Sequence, residues 1–579
     1  MTLAAPLVPP PAPPIPAPTG RAALDRAVAD LQARKADWPR VSVAERRALL
    51  AALRRSFLPV AERWAVAAAA GAGLAPGSPP TGVEWLMGPQ LVLRNLRFLD
   101  RSLGEIERHG RPRIPGGVWT RPDGRAVAGI VPLDVWDRLL YGGIRAEVWM
   151  QPGVTAAQVP ETQAVAYHAA ERPGGVVLVL GAGNVSSIGP MDALYKLFVE
   201  DRVVVYKTNP ANAHLGVLLE EGFRPLVERG FFRLVHGGAE EGAYLCRHPG
   251  IEEIHITGSD RTYEAIVFGP GAEGEERKRR GAPLLAKPVT AELGNVSPVI
   301  VVPGPWSDAD HAYQAEYLAT MLATNAGFNC NALRVIVQHA GWEGRGRLLD
   351  AVRALLARTP TRRAWYPGAA ERWRAFVGAH PEAERFGAEG EGRLPWTLIA
   401  GLDPERRDEI CFTTEAFCGL AAETALPAGG AAEFLERAVA FCNERLWGTL
   451  NATVVVHPAT LAEPGMADAL DRAIAGLRYG TVSLNHWAAV GYALVAPPWG
   501  AYPGHPARDI QSGTGVVHNT LMFSRVEKTV VRGPFRGFPK PPWLLTHRRQ
   551  HDLFPRLTRF EAHPSPLQLP GIFAAALRG

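Results

Sequence analysis

From about residue 176 the apolar residues fall into short unbroken runs, each closing on glycine or a small polar residue. Val176-Val177-Leu178-Val179-Leu180 ends at Gly181-Ala182-Gly183-Asn184, and Val203-Val204-Val205-Tyr206 ends at Lys207. Phe232-Arg233-Leu234-Val235 ends at His236-Gly237-Gly238, and Ile251 to Ile256 ends at Thr257-Gly258-Ser259. Runs without polar alternation belong to strands buried on both faces, as in parallel sheets. Helical sequence lies between them, from Pro190 to Phe198 and from about Leu215 to Arg229, interrupted at Gly222 and Pro225. Strands and helices in alternation predict a doubly wound α/β sheet, with ligands beyond the carboxyl ends of its strands. That rule puts Asn184, Lys207, Gly238, Gly258 and Ser259 on one rim.

Upstream the pattern is different. Residues 21–100 read mostly as helices, and Ser42 with Glu45 forms a capping box before Val43 to Leu53. Ile144 to Met150 and Gln163 to His168 alternate apolar with polar, which predicts a long antiparallel ribbon. A second α/β unit follows over about 294–516, and Val526 to Val531 is a late strand. Pro9 to Pro16 predicts a polyproline II leader that packs no core. Residues 533–579, rich in Pro and Arg, match no pattern.

Length and composition narrow the function. A chain of 579 residues exceeds one ordinary core, so two or three domains are expected. The basic run Arg277 to Arg280 follows the acidic Glu273-Gly274-Glu275-Glu276, which reads as a solvated loop, and a net charge of +5 is mild for the length. Nucleic acid is not an expected partner. No apolar run reaches the 18 or so residues of a membrane span, and the N-terminus lacks a signal-peptide pattern. The five cysteines, Cys246, Cys330, Cys411, Cys418 and Cys442, contain no CxxC pair. Neither a disulfide framework nor a zinc ribbon is indicated, and reduced thiols point to the cytoplasm.

One cysteine stands apart. Cys330 ends the small-residue loop Ala323 to Asn329 just before a strand, 38 residues after Glu292. A thiol nucleophile and a carboxylate base are what acyl chemistry through a covalent intermediate needs. Cys411 and Cys418 read as packing residues.

The chain resembles the aldehyde dehydrogenase superfamily from roughly residue 38 to 532. Glu292-Leu293-Gly294-Asn295 resembles the family's general-base motif, and Gly327-Phe328-Asn329-Cys330 its nucleophile motif. Asn184 stands where the family has its oxyanion-stabilising Asn, and Lys207 where it has its ribose-binding Lys. Thr257-Gly258-Ser259 is similar to the pyrophosphate-facing turn, and Glu415-Ala416-Phe417 to the cofactor clamp. Gly480 to Asn485 resembles a late family motif, and Val526 to Val530 the oligomerisation strand. His486 and Trp487 follow where the family lines its substrate tunnel.

The chain departs from the family's pattern at Phe328, Asn295, Pro210 and Tyr263, in an insertion at about 268–283, and in the tail beyond 533. These leave the cofactor preference and substrate class open.

What the resemblance implies is a doubly wound parallel-sheet cofactor domain, an α/β catalytic domain and a small β oligomerisation ribbon. The expected division is a disordered leader at 1–20, a dinucleotide-binding domain at 21–142 and 170–293, and oligomerisation strands at 143–169 and 517–532. The catalytic domain would span 294–516 and a C-terminal extension 533–579. The implied activity is NAD- or NADP-dependent oxidation of an aldehyde to an acid through a thioester on Cys330, in a homodimer or homotetramer. The implied catalytic residues are Cys330, Glu292 and Asn184. The implied cofactor residues are Lys207, Gly238, Gly258, Ser259, Glu415 and Phe417, with no metal. Two alternatives share the fold: an acyl-CoA reductase using the same cysteine, and a scaffold without turnover.

Overall fold

The computed structural model describes residues 14–579, so most of the polyproline segment lies outside the described residues. Of the leader expected at 1–20, residues 14–20 are described. Thr19 already pairs with the end of a strand, its N–H donating to the His236 carbonyl and its hydroxyl accepting from the His236 N–H, both at 2.9 Å.

Two sheets organise the chain. The first has six strands in the order Gly513–Thr514, Val289–Glu292, Glu253–Thr257, Val176–Leu180, Val203–Lys207, Phe232–Val235. All neighbours are parallel except Gly513–Thr514, which runs antiparallel to Val289–Glu292. Every residue of Val176–Leu180 and Val203–Lys207 is buried, as their unbroken apolar runs require. Helix Ile188–Phe198, buried along its whole length, packs against both strands.

The second sheet has eleven strands. In order they are Val118–Thr120, Ala126–Val131, Arg145–Met150, Val526–Arg532, Thr481–Leu484, Asn451–Val455, Pro298–Val301, Val335–His339, Leu420–Leu426, Trp396–Leu402 and Glu384–Phe386. Its centre is parallel, and its first four strands are antiparallel to one another.

Four expectations are corrected. Gln163 to His168 is not half of a ribbon: Val165–His168 is one helical turn entered through Ala164 at φ 52°, and Gln163 makes only an isolated bridge to Phe523. Arg145–Met150 pairs instead with Ala126–Val131 and Val526–Arg532, so both proposed oligomerisation strands are covered on each side by this chain's own strands. Residues 118–131, assigned to the cofactor domain, also lie in this second sheet. The charged insertion is no loop. It is helix Gly271–Arg280, with Glu273–Arg277 and Glu276–Arg280 paired one turn apart and its basic run at the C-terminal end, where the helix dipole favours cations.

The tail beyond 533 is folded too. Phe535 and Leu544 join the core beside helix Asp308–Ala323, while helix Gln550–Ala562 packs on Thr81–Trp85 and Leu91–His109. The latch is buried and charged: Glu561 accepts from Arg94 and Arg97 at 2.8 Å each, and Arg94 also donates to Asp137 at 2.7 Å. No described helix is long and apolar enough to cross a membrane.

Candidate active site

The strand ends of the first sheet meet the Cys330 loop of the second unit around a cavity of about 930 Å³. Asn184, Lys207, Gly238, Gly258, Ser259, Glu292, Cys330, Glu415 and Phe417 all line it. The nine candidate residues span 234 positions of sequence between Asn184 and Phe417 and are assembled only by the fold.

Cys330 is delivered by a tightly bound loop. Asn325, Ala326 and Gly327 take left-handed φ values of 54°, 54° and 81° in succession. A left-handed alanine is strained unless its surroundings hold it, and here they do. Arg334 donates to the carbonyls of Gly327 and Cys418 at 2.7 Å, Asn325 to that of Asn184 at 2.9 Å, and Asn329 to that of Thr324 at 3.0 Å. Gly327 is obligatory, since a Cβ there would strike the Cys418 backbone. Beyond the thiol, the Cys330 carbonyl accepts from Ser297 and Asn451 at 3.1 and 3.2 Å.

The Cys330 thiol donates to Glu292 Oε1 at 3.3 Å. Burial and then the nearby Glu292 and Glu415 charges hold the thiol well above its ordinary pKa, so the resting group is protonated. Burial, reinforced by the Asp192 carboxylate, pushes Glu292 up to about 7, which places it at the balance point of proton uptake and release near neutral pH. Asn184 lines the wall with its side-chain amide donating to the Phe328 carbonyl at 3.0 Å, leaving one N–H of that amide uncommitted.

The far end is cationic and glycine-lined. Lys207 Nζ donates to the Gly237 and Thr208 carbonyls at 2.7 and 3.0 Å, and burial lowers it to about 8. Ser259 caps helix Asp260–Val267, its hydroxyl accepting from the Thr262 N–H at 3.2 Å. The Gly238 N–H donates to Glu241 at 2.7 Å. Glu415 packs on Glu292-Leu293-Gly294 so closely that a Cβ at Gly294 would run into its carboxylate; burial pushes it up to about 7, and its Oε1 is buried without a partner among the described residues.

The departures from the family pattern have structural roles. Phe328 packs edge-on against Trp365 and tilted against Tyr366 and Phe417. Asn295 staples two segments, its amide donating to the Asn451 carbonyl at 2.8 Å and the Ser297 hydroxyl at 3.0 Å. His486 and Trp487 do not line this cavity. His486 is bonded to the Tyr317 hydroxyl at 2.7 Å and Trp487 to the Asn331 carbonyl at 2.5 Å, both within the core under the tail.

Sequence reasoning missed Asp192, His255, Tyr492 and His518, a buried polar group behind Glu292. A readable signal existed for two of them. Asp192 and His255 are buried polar positions with apolar neighbours on both sides in the chain (Met191 and Ala193, Ile254 and Ile256), and such residues rarely lie inside unless they are partnered.

Comparison with known proteins finds aldehyde dehydrogenases. Residues 146–370 match the model of the aldehyde dehydrogenase family. The chain is 35% identical over 138 residues to human 4-trimethylaminobutyraldehyde dehydrogenase, which is 23% of this chain and 24% of that protein. The match therefore spans about a quarter of the curated relative's length. By structure it is similar to an NAD-dependent aldehyde dehydrogenase from Sinorhizobium meliloti, with a TM-score of 0.57 and 20% identity over 90% of this chain and 88% of that one. It is also similar to an NADP-dependent glyceraldehyde-3-phosphate dehydrogenase from Bacillus halodurans complexed with NADP, with a TM-score of 0.58 and 17% identity over 89% and 92%.

Proposed function

We propose, from the premise that this chain carries aldehyde dehydrogenase family sequence over residues 146–370 and the aldehyde dehydrogenase fold, that it oxidises an aldehyde to a carboxylic acid with NAD or NADP. The observation that carries the reading is the hydrogen bond from the Cys330 thiol to Glu292 on the wall of the large cavity.

The cavity suits a dinucleotide. Glu415 offers a buried acceptor for a ribose hydroxyl, Lys207 a cation and donor, and Gly258 with the Ser259 helix start an anion-binding backbone. When bound there, the nicotinamide supplies the hydride acceptor. Glu292 Oε1 takes the thiol proton, and the Cys330 sulfur attacks the aldehyde carbon. Asn184's uncommitted N–H and the Cys330 backbone N–H serve the developing oxyanion. Loss of hydride leaves a thioester on Cys330, and Glu292 then takes a proton from the water that hydrolyses it. A base near 7 supports water as acyl acceptor over coenzyme A, which needs less help.

Pro210 lines the cavity at the position following Asn209, with Arg247 and Arg261 also on the wall and no carboxylate at the position where one would repel a 2′-phosphate. This supports NADP as at least comparable with NAD. The exposed edge strand Val118–Thr120, where Trp119 is 40% exposed, offers a place for a second subunit to extend the sheet, and sedimentation at micromolar concentration tests for that homodimer. The test of the activity is a panel of aldehydes with each cofactor, read by absorbance of the reduced form. No turnover with any aldehyde, or full turnover in Cys330→Ala, overturns the proposal.

A further inference from the structure

The segment that leads to Glu415 and Phe417 begins with two buried groups that the reaction described above does not use, Glu409 and Cys411. A third, His380, follows helix Ala369–Ala379, its N–H donating to the Phe376 carbonyl at 3.0 Å. Glu409 is 1% exposed, and Cys411 and His380 are 3% each. A carboxylate oxygen, the thiol sulfur and an imidazole nitrogen from the three all lie within 4.8 Å of one another.

Neighbouring groups aim these donors. Glu409 caps the short helix Ile410–Thr413, where its Oε1 accepts from the Cys411 N–H at 3.0 Å and meets His380 Nε2 at 2.8 Å. The other ring nitrogen, Nδ1, is 2.8 Å from Glu382 Oε1. A carboxylate on one nitrogen of a histidine fixes the ring and turns the other toward a metal ion. Glu409 Oε2 is buried with no hydrogen-bond partner among the described residues, and Arg406 Nη1 stands off at 3.6 Å. An ion pair of His380 with Glu409 accounts for Oε1 alone. It leaves Oε2 unpaired, which is costly for a buried carboxylate, and gives the thiol no task.

The donor set selects the ion. Imidazole, thiolate and carboxylate together suit zinc, whereas calcium and magnesium take oxygen ligands. Zinc bonds of about 2.0–2.3 Å put the ligand atoms of a tetrahedron about 3.3–3.8 Å apart. Closing a set that already fits within 4.8 Å takes movements of about 1 Å. One thiolate and one carboxylate also balance the two charges of the ion, so no net charge is buried.

We propose that His380 Nε2, Cys411 Sγ and Glu409 bind one zinc ion, with water in the fourth position. Neither the family resemblance nor the proposed reaction calls for this ion. It enters between Glu382 and Arg406, whose side chains are 62% and 50% exposed. Binding breaks the Cys411 S–H bond and forms the sulfur–zinc bond. The thiol proton leaves to solvent, together with the one displaced from between His380 and Glu409. The ion then ties the end of helix Ala369–Ala379 to the start of the segment that carries Glu415. The same helix holds that segment farther along, where Arg372 donates to the Ala416 and Phe417 carbonyls at 3.2 and 3.3 Å. The zinc is a structural clasp behind the cavity wall.

The test removes the competing thiol first. Untagged, chelator-treated full-length Cys330→Ala protein is titrated with cobalt(II), a spectroscopic stand-in for zinc. It is expected to take up one equivalent with a thiolate-to-cobalt charge-transfer band, which zinc displaces, and zinc is expected to raise its unfolding temperature. Cys411→Ser in the same background keeps the volume, and is expected to lose the band and at least about a hundredfold in zinc affinity. Glu382→Gln alters an exposed position that only positions the ring, and is expected to keep the band and weaken binding about 10–100-fold. Failure of the Cys330→Ala protein to take up one equivalent overturns the site, as does a band that survives Cys411→Ser. Should Cys411→Ser fail to fold by circular dichroism, zinc affinity unchanged within twofold in both Glu382→Gln and His380→Gln overturns it as well.

Discussion

Replacing Glu292 by Gln should disable the reaction and stabilise the fold together, and both effects follow from one number. Burial and the Asp192 charge push Glu292 from 4.5 to about 7. The folded chain therefore holds a proton on this group between pH 4.5 and 7 that the unfolded chain has released, so stability contributed at Glu292 is fully present below 4.5 and is lost as pH rises to 7. Above pH 7 the ionised carboxylate costs on the order of 3 kcal/mol relative to a free one. Glutamine has the same shape and no charge to bury. Glu292→Gln should therefore unfold at a higher temperature than wild type at pH 8, with the gap narrowing toward zero at pH 4.5. In catalysis the same group must be ionised to take a proton from water. Wild-type deacylation should rise about tenfold from pH 6 to a plateau above 7, and the Gln variant should lose that rise and about 10²–10⁴ in rate. The assays are thermal unfolding across pH and a rapid-mixing experiment, where the variant should show a slowed burst, since Glu292 also takes the thiol proton, followed by slow turnover. A variant less stable than wild type at pH 8, or one that keeps its steady-state rate, would refute the reasoning.

Cys330→Ala should abolish turnover while leaving dinucleotide affinity, measured by fluorescence titration, within about threefold, because Lys207, Gly258 and Ser259 stand on the other sheet. Cys418→Ala, at a fully buried site away from the thiol chemistry, should keep most of kcat and cost about 1 kcal/mol by denaturant unfolding. Pro210→Glu should shift the ratio of kcat/KM values from NADP toward NAD by at least tenfold, and an unchanged ratio would remove Pro210 from cofactor choice. Glu561→Ala should cost about 3–5 kcal/mol in stability by leaving Arg94 and Arg97 buried with fewer partners, although Glu561 lies outside the cavity.

The sequence by itself determined the doubly wound sheet and the rim. Val176–Leu180 and Val203–Lys207 are buried on both faces, so their apolar runs could be nothing but central strands, and the polar residues closing them had to lie at their carboxyl ends. Cys330 and Glu292 were legible as well, because a rare thiol in a small-residue loop and an acid at a strand end are local features.

Tertiary structure decided the rest. Alternation in Gln163 to His168 predicted a strand, but a strand exists only where a neighbour offers its ladder, and Arg145–Met150 pairs with Ala126–Val131 and Val526–Arg532 instead. The charged segment 271–280 carries no apolar face to mark it, and its helix is held by pairs of opposite charge one turn apart. The fold alone could reveal Asp192 behind Glu292. One lies on a helix and the other on a strand a hundred residues away, and the proton affinity of Glu292 depends on burial and charges that no local pattern records.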